Sequence, residues 1–176
     1  DKDSGKMRRA RAIDFKELIR LTDSLEYIKA QSTAMVPSDV PEEISDLYRL
    51  YLILKNSTKP IITGAFTIQG LVYMKNLLET VVGGSEELRN KPRAIFDCCP
   101  SSPLMWSDVT CQNLLDCAEY GIPAEIIPAP QMGATSPVSI AGTLVEANAE
   151  FLSGVVISQL AHPNTPIVYG GSPSAF

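Results

Sequence analysis

The feature that most constrains this chain is an alternation of two periodicities. Short runs rich in β-branched and apolar residues at 59–64, 93–97, 124–127 and 166–169 recur at roughly 30 to 40 residues, with helically spaced stretches between them. A weaker run at 32–36 extends the series toward the start. Parallel strands need a crossover of a dozen or more residues, usually a helix, so the alternation predicts about four to five parallel strands with outer helices. Both a (β/α) barrel and a doubly wound open sheet satisfy that pattern. No G-x-G-x-x-G follows a strand, which removes the usual dinucleotide reading of the open sheet.

The crossovers carry their own signals. Over 14–28, Phe15, Leu18, Ile19, Leu21, Leu25 and Ile28 share one helical face, with Asp14 as the expected N-cap. Pro41 with Glu42 and Glu43 opens a second helix that runs through Leu47, Leu50 and Leu54. Further helices are predicted over 67–82, 107–120 and 136–160, with Gly121 ending the fourth and His162-Pro163-Asn164 the fifth. Gly142 and Gly154, inside the last helix, read as close-packing positions. The stretch 138–160 is the most apolar, yet Glu146, Asn148, Glu150 and Gln159 would be penalised in a bilayer, so a buried helix and no membrane span is expected.

A net charge of −5 and a pI near 4.9 argue against a nucleic-acid surface, which needs clustered Lys and Arg. The short basic cluster from Lys6 to Arg11 reads as a solvated edge. Four cysteines, with Cys98 and Cys99 adjacent and Cys111 and Cys117 on a predicted helix, have no zinc or disulfide spacing; they read as small buried groups in a reducing, cytoplasmic setting. The start, Asp1 to Lys6, has neither an initiator Met nor a signal-peptide core and resembles a cut inside a longer chain.

Function in such sheets collects where strands end. The expected exits are 64–67, 98–106, 128–137 and 169–174, which hold small residues, prolines, hydroxyls and aromatics, with almost no titratable group beyond Asp97. No carboxylate pair, no Ser with a His and no His/Asp metal cluster is expected there, and His162 falls at a helix end on the opposite side. For Cys98 and Cys99, with no neighbouring base in sequence, packing is favoured over thiolate chemistry. A nearly uncharged pocket suits a cation without N–H donors, held by aromatic faces. Phe66, Trp106 and Tyr169 are the candidate aromatics, and Ser101, Ser102, Gln131 and Ser172 the candidate polar orienters; packing under loops is the competing role for each aromatic.

Three segments carry a family resemblance: 131–138 continuing through 144–150 to 165–170, then 40–43 through 56–60, and 99–104. Together they resemble the corrinoid-dependent trimethylamine and glycine betaine methyltransferase family. The resemblance implies that this chain is the central segment of an incomplete (β/α)8, TIM-type barrel, with N-terminal and C-terminal parts missing, since such barrels take about 250 residues and eight units. It also implies transfer of a methyl group from a methylated amine to the Co(I) corrinoid of a partner protein. No metal would be held by the chain itself, and a homo-oligomer is compatible. Family members that use trimethylamine carry pyrrolysine, whereas members without it include glycine betaine methyltransferases. No pyrrolysine occurs in these 176 residues, and the subtype stays open. Two other readings remain: a non-catalytic amine-binding barrel and a pterin-dependent barrel methyltransferase.

Overall fold

The computed structural model describes residues 5–175. Residues 1–4, on which the reading of an internal cut rests, lie outside them. Helices α1 (Ala12–Ser24), α2 (Glu42–Asn56), α3 (Ile68–Val82), α4 (Ser85–Asn90), α5 (Asp108–Tyr120) and α6 (Ile140–Ala161) alternate with strands β1 (Gln31–Ser32), β2 (Ile61–Thr63), β3 (Ala94–Cys98), β4 (Ala124–Ile126) and β6 (Ile167–Tyr169). These five strands form one all-parallel sheet in the order β1-β2-β3-β4-β6.

That order never reverses. Right-handed crossovers that always step the same way leave every helix on one face, whereas a doubly wound sheet reverses direction and covers both. Packing agrees: Ile61, Ala94, Phe96, Cys98, Ala124 and Ile126 share one core with Leu50, Ile53, Leu71, Met74, Leu78, Leu114 and Cys117 from the helices. The doubly wound alternative is therefore excluded for the described sheet. The singly wound order is the one that a (β/α) barrel uses.

Local signals explain the ends. Thr67, Ser107 and Ser139 cap α3, α5 and α6 by accepting from the N–H groups of Gly70, Thr110 and Gly142 at 2.9, 3.2 and 3.1 Å. Gly121 ends α5 at φ 69°, a conformation that glycine adopts without a Cβ penalty. His162 is the C-cap of α6. Asp14 is not the cap of α1: Arg11 holds that place, and the Asp14 carboxylate, three residues on, accepts the Arg11 backbone N–H at 2.8 Å. The helix stops at Ser24, so Leu25 and Ile28 lie beyond it, and Leu21 is 57% exposed. Only Phe15 and Ile19 of α1 are buried.

Three elements have no counterpart in the sequence reading. Helix α4 follows Gly83 and Gly84, both at positive φ. Beyond the exits of β4 and β6, β5 (Gln131–Met132) pairs in parallel with β7 (Ser174–Ala175) as a separate ribbon.

Helix α6 corrects a third expectation. It is not buried all round: its covered stripe is Thr143, Ala147, Glu150, Gly154 and Ser158, while Val145 is 71% and Leu160 81% exposed. Small and polar residues face the sheet because the contacts there are close. A Cβ on Gly154 would lie 2.8 Å from Ile126 Cδ1 and 2.9 Å from Trp106 Cζ2, as expected of a packing glycine. By length and composition α6 is also able to cross a membrane.

Candidate active site on the open face of the sheet

Strand side chains alternate between faces, so the residues between the core positions point away from the helices. On β3 and β4 these are Ile95, Asp97 and Glu125, each only partly buried, and Asp97 stands in register with Glu125. The open face thus carries two adjacent carboxyl groups near the strand exits. The sequence reading concerns the exit loops, which hold no such pair; this pair lies within β3 and β4 themselves. Glu125 is the residue that sequence reasoning passed over.

Like charges side by side cannot both ionise cheaply. Desolvation first, then the Glu125 charge and a hydrogen bond shared with Glu125, push the Asp97 carboxyl up to about 7. Asp97 Oδ1 is buried and meets no donor from the rest of the protein. The Asp97 carboxyl is therefore only partly ionised near neutral pH.

The neighbouring strand exits leave this pair uncrowded. Next to Asp97 stands Gly64, where an added Cβ would lie 3.5 Å from the Asp97 carbonyl oxygen, ordinary contact. Beyond Glu125 stands Gly170, where a Cβ would lie 2.7 Å from Ile127 Cγ1 and 3.1 Å from Glu125 Cγ. Gly170→Ala is expected to cost about 1–3 kcal/mol by overpacking against Ile127 and the Ile126 carbonyl, and Gly64→Ala less than about 1. Urea midpoints of the two variants check this, and equal losses would contradict it.

Buried charges on α2 shape the β2 exit. Arg49, 2% exposed, donates to the Thr33 and Gly64 carbonyls at 2.9 and 3.2 Å and to Asp46 Oδ1 at 2.6 Å. Asp46 Oδ2 accepts the Phe66 backbone N–H at 2.8 Å, and Asn113 of α5 donates to the Ala65 carbonyl at 3.0 Å. The β3 exit is gripped by α6: Glu150 accepts from Ser102 Oγ and from the Leu104 N–H, both at 2.8 Å, and Trp106 Nε1 donates to Ser153 Oγ at 3.0 Å.

These contacts decide where the predicted site residues stand. Phe66 lies 4.6 Å over the Arg49 guanidinium, so one ring face already holds a cation. Trp106 packs on Gly154 of α6. Tyr169 shares the helix-side register of Ile126 and lies against Phe151, ring centroids 4.2 Å apart. The three rings thus serve three different packing contacts, and no ring contact joins them among the described residues. The Ser102 hydroxyl is committed to Glu150, whereas Ser101 is exposed and pairs through its backbone with Met105. Gln131 and Ser172 are exposed at the β4 and β6 exits; the Gln131 carbonyl collects the N–H groups of Ala134, Thr135 and Ser136, and the Ser172 N–H bonds to the Pro128 carbonyl.

Thiol chemistry is disfavoured. Cys98 and Cys117 are buried; Cys99 is exposed and Cys111 half-buried, contrary to the expectation of uniform burial. Desolvation and the Asp97 carboxyl push the Cys99 thiol up to about 11. Cys98 and burial push Cys117 well above the ordinary thiol range.

With this geometry in place, comparison with known proteins is decisive for the family. The sequence profile described as trimethylamine methyltransferase (MTTB) matches residues 1–176. The chain belongs to the trimethylamine methyltransferase family. Trimethylamine methyltransferase MttB of Methanosarcina barkeri is 33% identical over 165 residues, 93% of this chain and 33% of that protein. The protein of the same name from Desulfitobacterium hafniense is 28% identical over 159 residues, 90% of this chain and 32% of its own length. A glycine betaine methyltransferase of Desulfitobacterium hafniense is 27% identical over 169 residues, 96% of this chain and 35% of that protein. The chain therefore spans about a third of the length of these relatives. The segments that carried the family resemblance fall on α2 and its flanks, on the exit loops of β3 and β4, and on α6 with β6.

Proposed function

We propose that this chain is part of a (β/α) barrel methyltransferase that moves a methyl group from a tertiary or quaternary methylated amine to the Co(I) corrinoid of a partner protein in the cytoplasm. The observation that carries the reading is the Asp97/Glu125 pair on the open face, in a chain of this family. Negative charge there complements a methylated ammonium, and that nitrogen needs no hydrogen-bond donor. The carboxyl groups take the place that the aromatic cage was expected to fill.

Co(I), brought by the partner, would supply the nucleophile. The chain's own residues would bind and orient. Asp97 and Glu125 hold the cationic nitrogen so that one N–CH3 bond points outward. Gly64 and Gly170 keep the strand exits low, which fits the approach of a flat macrocycle. Positioning of this kind converts an encounter between two solutes into a step within one complex. The methyl group leaves its nitrogen with the N–C bonding pair staying on nitrogen, so a quaternary amine becomes a neutral tertiary amine.

The test is to mix the full-length protein with a Co(I) corrinoid protein and a panel of methylated amines and to follow the Co(I) absorption. Loss of that absorption with at least one amine is expected. If no amine produces it, the transfer reading falls; amine binding by calorimetry would then favour a binding barrel, and transfer from a methylated pterin would favour the third reading.

A further inference from the structure

The β3 exit loop holds a residue in an uncomfortable conformation. Leu104 has φ 52°, in the left-handed region where a side chain with a Cβ is strained. Such a conformation persists only where surrounding bonds impose it. Two sets of bonds do so here: the Ser101 and Met105 backbones exchange hydrogen bonds at 2.7 and 3.0 Å across the turn, and from the helix layer Glu150, 1% exposed on α6, accepts the Leu104 N–H with one carboxylate oxygen and the Ser102 hydroxyl with the other. Both oxygens of a buried carboxylate are spent on one loop, which leaves the Leu104 and Ser102 geometry little freedom. Removing a buried acceptor leaves its donors to find water, and the loop with them.

Glu150 itself belongs to the helix layer and not to the open face. It reaches the chemistry only through the loop, which leaves β3 at Cys98, one residue after Asp97. Anchoring the loop fixes the last residues of β3 and with them the Asp97 carboxyl beside Glu125. A misplacement of about 1 Å at a reacting centre costs on the order of a hundred-fold in rate, so such an anchor is visible in kinetics.

We infer that Glu150 is a positioning residue: it holds the β3 exit loop in its left-handed turn at Leu104 and thereby sets the amine site. This rests on the methyl-transfer reading above, and the experiment separates the two. In the full-length protein, Glu150→Ala should speed hydrogen exchange of peptides covering residues 99–106 and lower kcat/KM for the amine at least ten-fold, mainly through KM. Glu150→Gln should stay within about three-fold, because its amide oxygen can accept the Leu104 N–H while its amide N–H donates to Ser102 Oγ. Glycine adopts positive φ freely, so Leu104→Gly added to Glu150→Ala should recover part of the loss, which mere filling of space by Glu150 would not allow.

Should Glu150→Ala not fold, Ser102→Ala removes one of the two bonds, and a rise of about three-fold in KM is expected. Unchanged exchange at 99–106, or loosened exchange with unchanged kcat/KM, overturns the proposal. If the unsubstituted protein transfers no methyl group, the reading fails on its own. The anchor is then judged by exchange alone, and unchanged exchange in Glu150→Ala would overturn it.

Discussion

Asp46→Ala is expected to lower the unfolding free energy by about 3–5 kcal/mol, the usual cost of stranding one member of a buried ion pair. Its partner Arg49 is 2% exposed and already has one nitrogen, Nε, without a partner, so losing the carboxylate leaves a buried guanidinium with only carbonyl acceptors. The same change removes the acceptor of the Phe66 N–H. Replacing both residues at once, Asp46→Leu with Arg49→Met, should cost less than Asp46→Ala alone, because no uncompensated charge is left behind. Urea unfolding gives both numbers. A loss below about 1 kcal/mol for Asp46→Ala would mean that the pair is not the clasp described above.

The second large effect concerns the open-face carboxyl groups. Asp97 titrates at about 7 in the fold against an ordinary 3.8, so the folded state holds a proton that the unfolded chain has released. The associated stability is complete below about pH 4 and is lost as pH rises through about 7. Asp97→Asn should therefore be more stable than the unsubstituted protein at pH 7.5 and should flatten the slope of stability between those limits. Ligand binding runs the other way. A quaternary ammonium keeps its charge at every pH, so any pH dependence belongs to the protein; its affinity should rise about ten-fold, or about 1.4 kcal/mol, as Asp97 ionises through about pH 7. In Asp97→Asn that rise should vanish, and in the double variant Asp97→Asn with Glu125→Gln binding should be lost. Affinity that ignores pH in the unsubstituted protein would remove the pair from the amine site.

Much of the architecture was legible because the signals were long. The strand and helix alternation, the Gly121 stop and the helix starts near Thr67 and Ser107 all work through local chemistry that a sequence displays. What failed depended on register or on tertiary context. Glu125 looks like a stray charge in a three-residue strand; only pairing of Asp97 with Glu125 puts the two carboxyl groups side by side. Tyr169 closes a strand as the predicted pocket aromatic should, yet its register with Ile126 turns it toward α6. Trp106 and Ser102 sit in the expected loop, but α6 claims both, through Ser153 and Glu150. The apolar length of α6 suggested burial on every side, whereas its covered stripe consists of small and polar residues. Ribbon β5–β7 is two residues per strand and leaves no periodic trace.

Because every helix lies on one side of the sheet, alternate letters of the same strands face two different environments. Phe96, Ala124 and Ile126 answer to the helix layer, while Ile62, Ile95 and Val168 stand with Asp97 and Glu125 on the other side. In a (β/α) barrel that other side is the interior, packed in layers of branched aliphatic side chains. Resizing any of those three would then disturb the barrel's own filling together with the surroundings of the two carboxyl groups.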